Sequence, residues 1–294
     1  MGTMKNIKTQ AILAKVKSFP GMPGTAAKML LLLNDPDVSV SQIEEVLRFD
    51  QGLTANVLRL TNSAYFGFSF KIGSVRQAIV LLGAKRLIQL VLTSCVQAVM
   101  QKSIAGYDLP VGELWRHSIA VSVAGEALVK ELRIPASDFV FTAALLHDVG
   151  KLAMGDFVKD DIRKIEKAAA PGIPFEVAEQ FVLGIDHAEV GALILENWSF
   201  PPEIVRAVQW HHAPDAVDKT DNLIDIVHVA NVLSLMIGNG IGQEGLRYQP
   251  SAAATKRLGL KPFQLEKVAS QTWQWVSELS DLFESNQDSK RMVK

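Results

Sequence analysis

The chain has 294 residues, 48% of them hydrophobic and 21% charged, with 30 basic side chains against 31 acidic; it can bury a core, and no block of one sign offers the surface of a dedicated nucleic-acid binder. No stretch supplies the roughly 20 uninterrupted apolar residues of a membrane span. The single cysteine, Cys95, excludes an internal disulfide, and Lys5, Lys8 and Lys15 interrupt the N-terminus where a secretion signal would be continuously apolar, so a cytoplasmic protein with neither nucleic acid nor membrane as partner is expected.

Apolar positions recur at helical spacing, as at Leu53, Val57 and Leu60 or at Ile204 and Val208, and clean strand patterns are hard to find. This predicts an all-α fold, a two-lobe helical bundle. In a first lobe, residues 1–110, the helical run that includes residues 29–33 breaks at Asp35-Pro36-Asp37. Ser41 with Glu44 forms a capping box for the next helix, Asp50 caps a segment over 53–62, and Gly67 ends the turn after it. Two helices, 75–82 and 84–100, divide at Gly83. The second of these is a core helix that holds Cys95 as a small core residue without redox duty. Asn62-Ser63 reads as a polar helix end whose side chains bond neighbouring backbone. A surface link over 103–112, with Gly106 and Pro110, leads into a second lobe, residues 111–240, with helices over 112–130, 136–154, 187–198, 202–211 and 223–237. After Gly238-Asn239-Gly240 a C-terminal extension, 241–294, regains a helical pattern through Phe263, Leu265, Val268, Trp273, Val276 and Leu279 and ends in a frayed tail over 287–294.

The six histidines, at 117, 147, 187, 211, 212 and 228, all fall in the second lobe. His147-Asp148 places an imidazole and a carboxylate at consecutive positions of an otherwise apolar helix, where burial without partners is costly. A divalent metal removes that cost: imidazole with carboxylate suits Zn, Mn or Fe, and a two-metal site needs a bridging carboxylate. A satisfied buried pair that only ties helices together is the plainer alternative. His228 reads as structural.

The order His117, His147-Asp148, His187, His211-His212, in the settings Trp115-Arg116-His117-Ser118 and Asp186-His187-Ala188-Glu189-Val190-Gly191, resembles the ligand order of the HD superfamily of metal-dependent phosphohydrolases. The first lobe is similar to the HDOD family, the HD-related output domain of bacterial signalling proteins. The likeness there rests on Phe19-Pro20-Gly21-Met22-Pro23, Asp50-Gln51-Gly52-Leu53, Leu60-Thr61-Asn62-Ser63-Ala64-Tyr65-Phe66-Gly67 and Gln77-Ala78-Ile79-Val80-Leu81-Leu82-Gly83. The resemblance covers residues 19–237 and implies an HD-like bundle as the second lobe. It implies His117, His147, Asp148, His187, His211 and His212 as metal ligands, with one of the adjacent pair His211-His212 free to act behind the other. It also implies Asp148 and Lys151 as the catalytic candidates, Lys151 steadying phosphate charge; an exposed lysine closing a helix C-terminus explains Lys151 equally well.

Two departures bear on activity. Asn231 stands where the family's enzymes place a final metal-binding aspartate, which leaves a carbonyl oxygen in place of an anionic ligand. After the paired histidines the chain reads Ala213-Pro214-Asp215-Ala216, without the Gly-Tyr-Pro of the HD-GYP branch that hydrolyses cyclic di-GMP. The expectation is a bacterial signalling or regulatory HDOD protein that acts mainly by binding a protein partner, with a metal site of reduced or no hydrolase activity. The alternative is an active metal-dependent phosphohydrolase or phosphodiesterase with a nucleotide or phosphate ligand. One or two divalent transition-metal ions are expected, iron or manganese ahead of zinc because thiolate ligands are absent.

Overall fold

The structure is a computed structural model and describes residues 2–22, 24–33, 35, 37–48, 50–135, 137–169, 172–243, 248 and 251–291. Among the described residues it is all-α, with no strand and one isolated bridge between Ile104 and Leu109. The helices are α1 (Gly2–Lys17), α2 (Gly24–Leu33), α3 (Val40–Arg48), α4 (Gln51–Thr61), α5 (Val75–Leu82), α6 (Ala84–Met100), α7 (Glu113–Leu132), α8 (Val140–Leu146), α9 (Lys151–Ala169), α10 (Phe175–Leu183), α11 (His187–Asn197), α12 (Pro202–Trp210), α13 (Asn222–Met236), α14 (Ala252–Arg257) and α15 (Pro262–Arg291).

The chain forms two compact units, one of Met1–Gly21 with Met100–Thr272 and the other of Met22–Val99 with Trp273–Lys294. The division therefore falls at residue 100 where the sequence placed it near 110, and α1 goes with the larger unit. Packing explains both differences. Ile12 and Val16 of α1 are buried, Thr9 Oγ1 donates to the Leu183 carbonyl at 2.8 Å, and Lys8 pairs with Asp161 of α9. The segment expected as a surface link is packed as well: Ile104, Tyr107 and Leu109 are buried, and a Cβ on Gly106 would lie 2.1 Å from the Gly155 carbonyl oxygen, so only glycine lets this turn approach α9.

In the smaller unit the local signals act largely as read. Asp50 Oδ1 accepts from the Leu53 amide at 2.9 Å, α5 and α6 divide at Gly83, and Gly67 takes a left-handed φ of 65°. Asn62 closes α4 by donating to the carbonyls of Leu58 (2.7 Å) and Ile72 (2.9 Å) and accepting from the Ile72 amide at 2.7 Å. Cys95 is buried in α6, and burial pushes its thiol up to about 11. The capping box of α3 is different from the one expected. Ser39 and Gln42 form it, the Ser39 amide donating to Gln42 Oε1 at 2.7 Å and the Gln42 amide to Ser39 Oγ at 3.3 Å, because Glu44 lies further along and turns to Arg76.

In the larger unit α7 and α13 are the central helices, buried over most of α7 and over all of 223–235. A helix apolar on every face belongs inside a bundle. The single helix expected over 136–154 is two, α8 and α9, separated by a turn at 147–150. At that turn a Cβ on Gly150 would stand 1.9 Å from the His187 carbonyl oxygen; the glycine lets α11 dock end-on against it. Helix α15 continues to Arg291 where a frayed tail was expected, and residues 292–294 lie outside the described residues.

Candidate metal centre

Five helix ends converge inside the larger unit. His117 projects from α7, His147 and Asp148 from the turn after α8, Lys151 from the first residue of α9, His187 from the first residue of α11, and His211 and His212 from the end of α12. Asp186 caps α11 by accepting from the Glu189 amide at 2.8 Å, which fixes where His187 begins the helix. His117, His147, Asp148, Lys151, His187 and His211 are all buried.

Four of the imidazoles are held from behind. Nδ1 lies 3.0 Å from the Asn239 carbonyl in His117, 2.7 Å from the Ala144 carbonyl in His147, 2.7 Å from the Val208 carbonyl in His211, and 2.7 Å from Glu179 Oε2 in His187. These oxygens only accept, so in each ring Nδ1 carries a proton and Nε2 is the nitrogen turned inward. The Nε2 atoms meet there: His117 and His147 at 3.2 Å, His187 and His212 at 2.9 Å. Asp148 lies among them, Oδ2 at 3.2 Å from His147 Nε2 and 3.6 Å from His117 Nε2, Oδ1 at 3.4 Å from His187 Nε2 and 3.7 Å from His211 Nε2. Lys151 Nζ donates to Oδ2 at 2.7 Å.

Burial, with His147 nearby, pushes His117 down to about 3, and burial likewise lowers His211 and His212 well below the ordinary imidazole value. Burial opposes charge on Asp148 too, yet His147 and Lys151 hold its carboxyl well below the usual range. His187 goes the other way: burial lowers it, but the Glu179 carboxylate outweighs that and raises it.

The donor set fits a divalent cation. Lone pairs facing one another a hydrogen-bond length apart repel unless a cation or proton lies between them, and Asp148 Oδ1 and His211 Nε2 are buried with no hydrogen-bond partner. Two groups of ligand atoms form, Asp148 with His187, His211 and His212, and Asp148 with His117 and His147; within each, the atoms lie within 4.8 Å of one another. Asp148 belongs to both.

The structure thus brings together seven of the eight residues singled out in the sequence. The remaining one, Asn231, is buried on α13 with its Oδ1 unpartnered. Lys151 is neither exposed nor at a helix C-terminus: it is 3% exposed, at the start of α9, with Nζ 5.5 Å from the centre of the Tyr107 ring. His228 is structural, Nδ1 donating to the His211 carbonyl at 2.7 Å and Nε2 accepting from the Ser251 amide at 2.9 Å. Sequence reading missed Glu179, fully buried on α10, which accepts from the His187 amide at 3.0 Å and from the Tyr107 hydroxyl at 2.5 Å besides His187 Nδ1. Its one signal was a carboxylate in the largely apolar stretch 175–183, and Glu176 in the same stretch shares that signal.

An all-α unit with imidazoles gathered about one shared carboxylate defines a class, the helical proteins with an HD-type candidate metal centre. Residues 19–214 match the HDOD domain family, and the chain belongs to it. Its fold is similar to that of an HDOD domain protein from Geobacter sulfurreducens (23% identity, TM-score 0.71, 98% of this chain and 96% of that one). It is also similar to a candidate phosphohydrolase from Shewanella amazonensis SB2B (27% identity, TM-score 0.71, 92% and 98%). A candidate signal transduction protein from Marinobacter aquaeolei VT8 shares the fold at 19% identity (TM-score 0.68, 94% and 66%). A curated relative, an uncharacterized protein of Treponema pallidum, is 24% identical over 227 residues, and the match spans 76% of this chain but only 43% of that protein. Among the described residues no helix is long and apolar enough to cross a membrane.

Proposed function

We propose that this HDOD protein is a regulatory protein that holds one divalent transition-metal ion firmly, acts mainly through a protein partner, and hydrolyses phosphate esters weakly or not at all. The observation that carries this reading is the charge at Asp148. It is the one carboxylate among the ligand candidates, and Lys151 Nζ lies on the same Oδ2 that His117 and His147 approach. The Oδ1 side, with His187, His211 and His212, is free of that ammonium and is the better cation site.

When bound, the metal supplies Lewis acidity and lowers the pKa of water. The chain's own residues set the geometry: Glu179 fixes the tautomer of His187 and raises its basicity, and the carbonyls of Val208, Ala144 and Asn239 do the same orienting work for His211, His147 and His117. With Asp148 the one carboxylate, Lys151 on its Oδ2, and Asn231 standing where the family resemblance implies an aspartate, a second divalent ion on the Oδ2 side would meet too little negative charge to be held tightly. That leaves a poor clamp for the attacking and leaving oxygens of a displacement. Leu31 and Val80, 73% and 76% exposed on α2 and α5, are apolar positions a partner would cover.

The second reading, an active phosphohydrolase or phosphodiesterase on nucleotides, is favoured by one observation: the imidazoles and Lys151 are all in place beside Asp148, in a chain 27% identical to the candidate phosphohydrolase of Shewanella. Elemental analysis of protein purified without added metal, followed by a phosphodiester and nucleotide screen with saturating Mn or Fe, separates the two. Close to one equivalent of iron or manganese with no robust turnover is the expected result. Two equivalents with robust turnover overturn the proposal.

A further inference from the structure

The ends of the metal-ligand segment are tied down by side chains that lie beyond the family match. Residues 211–215 leave α12 carrying His211 and His212, and four bonds reach them from the region after residue 215, the longest from Arg257 Nη2 to the Pro214 carbonyl at 3.5 Å. His228 donates to the His211 carbonyl at 2.7 Å and is itself fixed by the Ser251 amide at 2.9 Å. Ser251 Oγ donates to Asp215 Oδ2 and also caps α14, accepting from the Ala254 amide at 3.0 Å. Arg257, the last residue of α14, spans two carboxylates: Nε and Nη2 donate to Asp225 at 2.7 and 2.6 Å, and Nη1 donates to Asp215 at 2.7 Å.

The chemistry of these groups makes the connection stiff. Asp225 is 1% exposed on α13, and a carboxylate that deep is stable only when paired; the planar guanidinium fork meets both of its oxygens. Arg257 is thereby fixed to α13, one of the two central helices, and its remaining nitrogen holds Asp215, only three residues beyond His212. Asp215 itself is half-exposed and contributes little packing, so its role lies in what it ties together.

We infer that α14, through Ser251 and Arg257 acting on Asp215 and through Ser251 acting on His228, is a positioning element that sets the ligand geometry of His211 and His212. Family ligands are thus held by residues outside the family's own span, and the extension tunes how tightly the centre binds its ion. The inference rests on the metal reading of the site proposed above.

Cobalt(II) added to metal-free full-length protein tests it, with the visible ligand-field spectrum and a chelator-competition dissociation constant as readouts and the melting temperature of the metal-free form as control. Asp215→Ala is the main variant, since its side chain is half-exposed, and Arg257→Lys keeps the charge beside Asp225 while losing the fork. Lys267→Ala, which removes a surface pair between Lys267 on α15 and Glu131 on α7, is the reference. Each of the first two is expected to weaken cobalt binding about tenfold and shift the spectrum, with Lys267→Ala unchanged. Asp215→Ala with the wild-type spectrum and affinity overturns the inference, as does a fall in metal-free melting temperature with an unaltered spectrum, which marks a purely structural tie. Wild-type protein that takes up no cobalt overturns the metal reading itself and the inference with it.

Discussion

Asp148 has two oxygens in unlike surroundings, and the difference decides how the site responds to substitution. Lys151 neutralises the Oδ2 side, and Asn231 offers a buried carbonyl oxygen with no partner. Restoring the missing charge by Asn231→Asp is expected to raise metal affinity and the number of ions retained through gel filtration, read by elemental analysis; unchanged stoichiometry would show that Asn231 lies outside the ligand set. Glu179→Gln takes the charge from behind His187 while keeping a similar shape. It is expected to lower metal affinity by about 10- to 100-fold, measured by chelator competition, with Tyr107→Phe, which removes only a hydroxyl from the same carboxylate, changing it less. The residues that gather at Asp148 were legible because histidines are few, a buried His-Asp pair demands a partner, and their order resembles that of the HD superfamily. Glu179 was not, since nothing in the linear order ties residue 179 to residue 187. That link exists only because α10 and the start of α11 are folded so that one carboxylate reaches both the amide and the ring of His187.

Elements were read best where a local chemical signal fixed them. Asp50 and Gly83 act within a few residues of themselves, so α4, α5 and α6 stand where the sequence put them. The break at 147–150 escaped notice because its cause, the close approach of α11 to Gly150, is tertiary. Helix α1 escaped for the same reason: its weakly amphipathic sequence gains its place from contacts such as Lys8 with Asp161 of α9. That contact has a pH signature. Burial opposes charge on Asp161, but hydrogen bonds from Lys164, at 2.6 Å, and from Lys8 outweigh it and hold the carboxyl below its ordinary value. A carboxylate lowered on folding adds stability that is fully present above the unfolded value of about 3.9 and is lost as pH falls through the folded one. Asp161→Asn is therefore expected to cost about 1 kcal/mol near neutrality, a modest figure because Lys164 is open to solvent. In urea titrations that cost should hold from about pH 7 down to about pH 4 and shrink only as pH falls below about 4; a cost independent of pH would assign the loss to packing.

At the scale of the whole chain, the all-α class follows from period alone, whereas the partition does not. Residues 103–112 look like a linker because Gly106 and Pro110 punctuate them, yet glycine there serves a close backbone approach and the neighbouring Ile104 and Tyr107 are core. Punctuation residues mark turns, and a turn can be packed as tightly as a helix. Every ligand candidate, the ring-orienting carbonyls and the α14 ties fall in the unit of Met1–Gly21 and Met100–Thr272. An ion bound to the native state at about 100 times its dissociation constant stabilises that state by about 2.7 kcal/mol, and the amides to benefit first are those whose opening breaks the ligand set. Hydrogen exchange with and without saturating manganese is thus expected to slow in 113–132, 140–151, 187–197 and 202–215, with residues 24–33 and 40–61 unchanged. Slowing confined to 24–61 would place the ion elsewhere and remove the ground for a centre at Asp148.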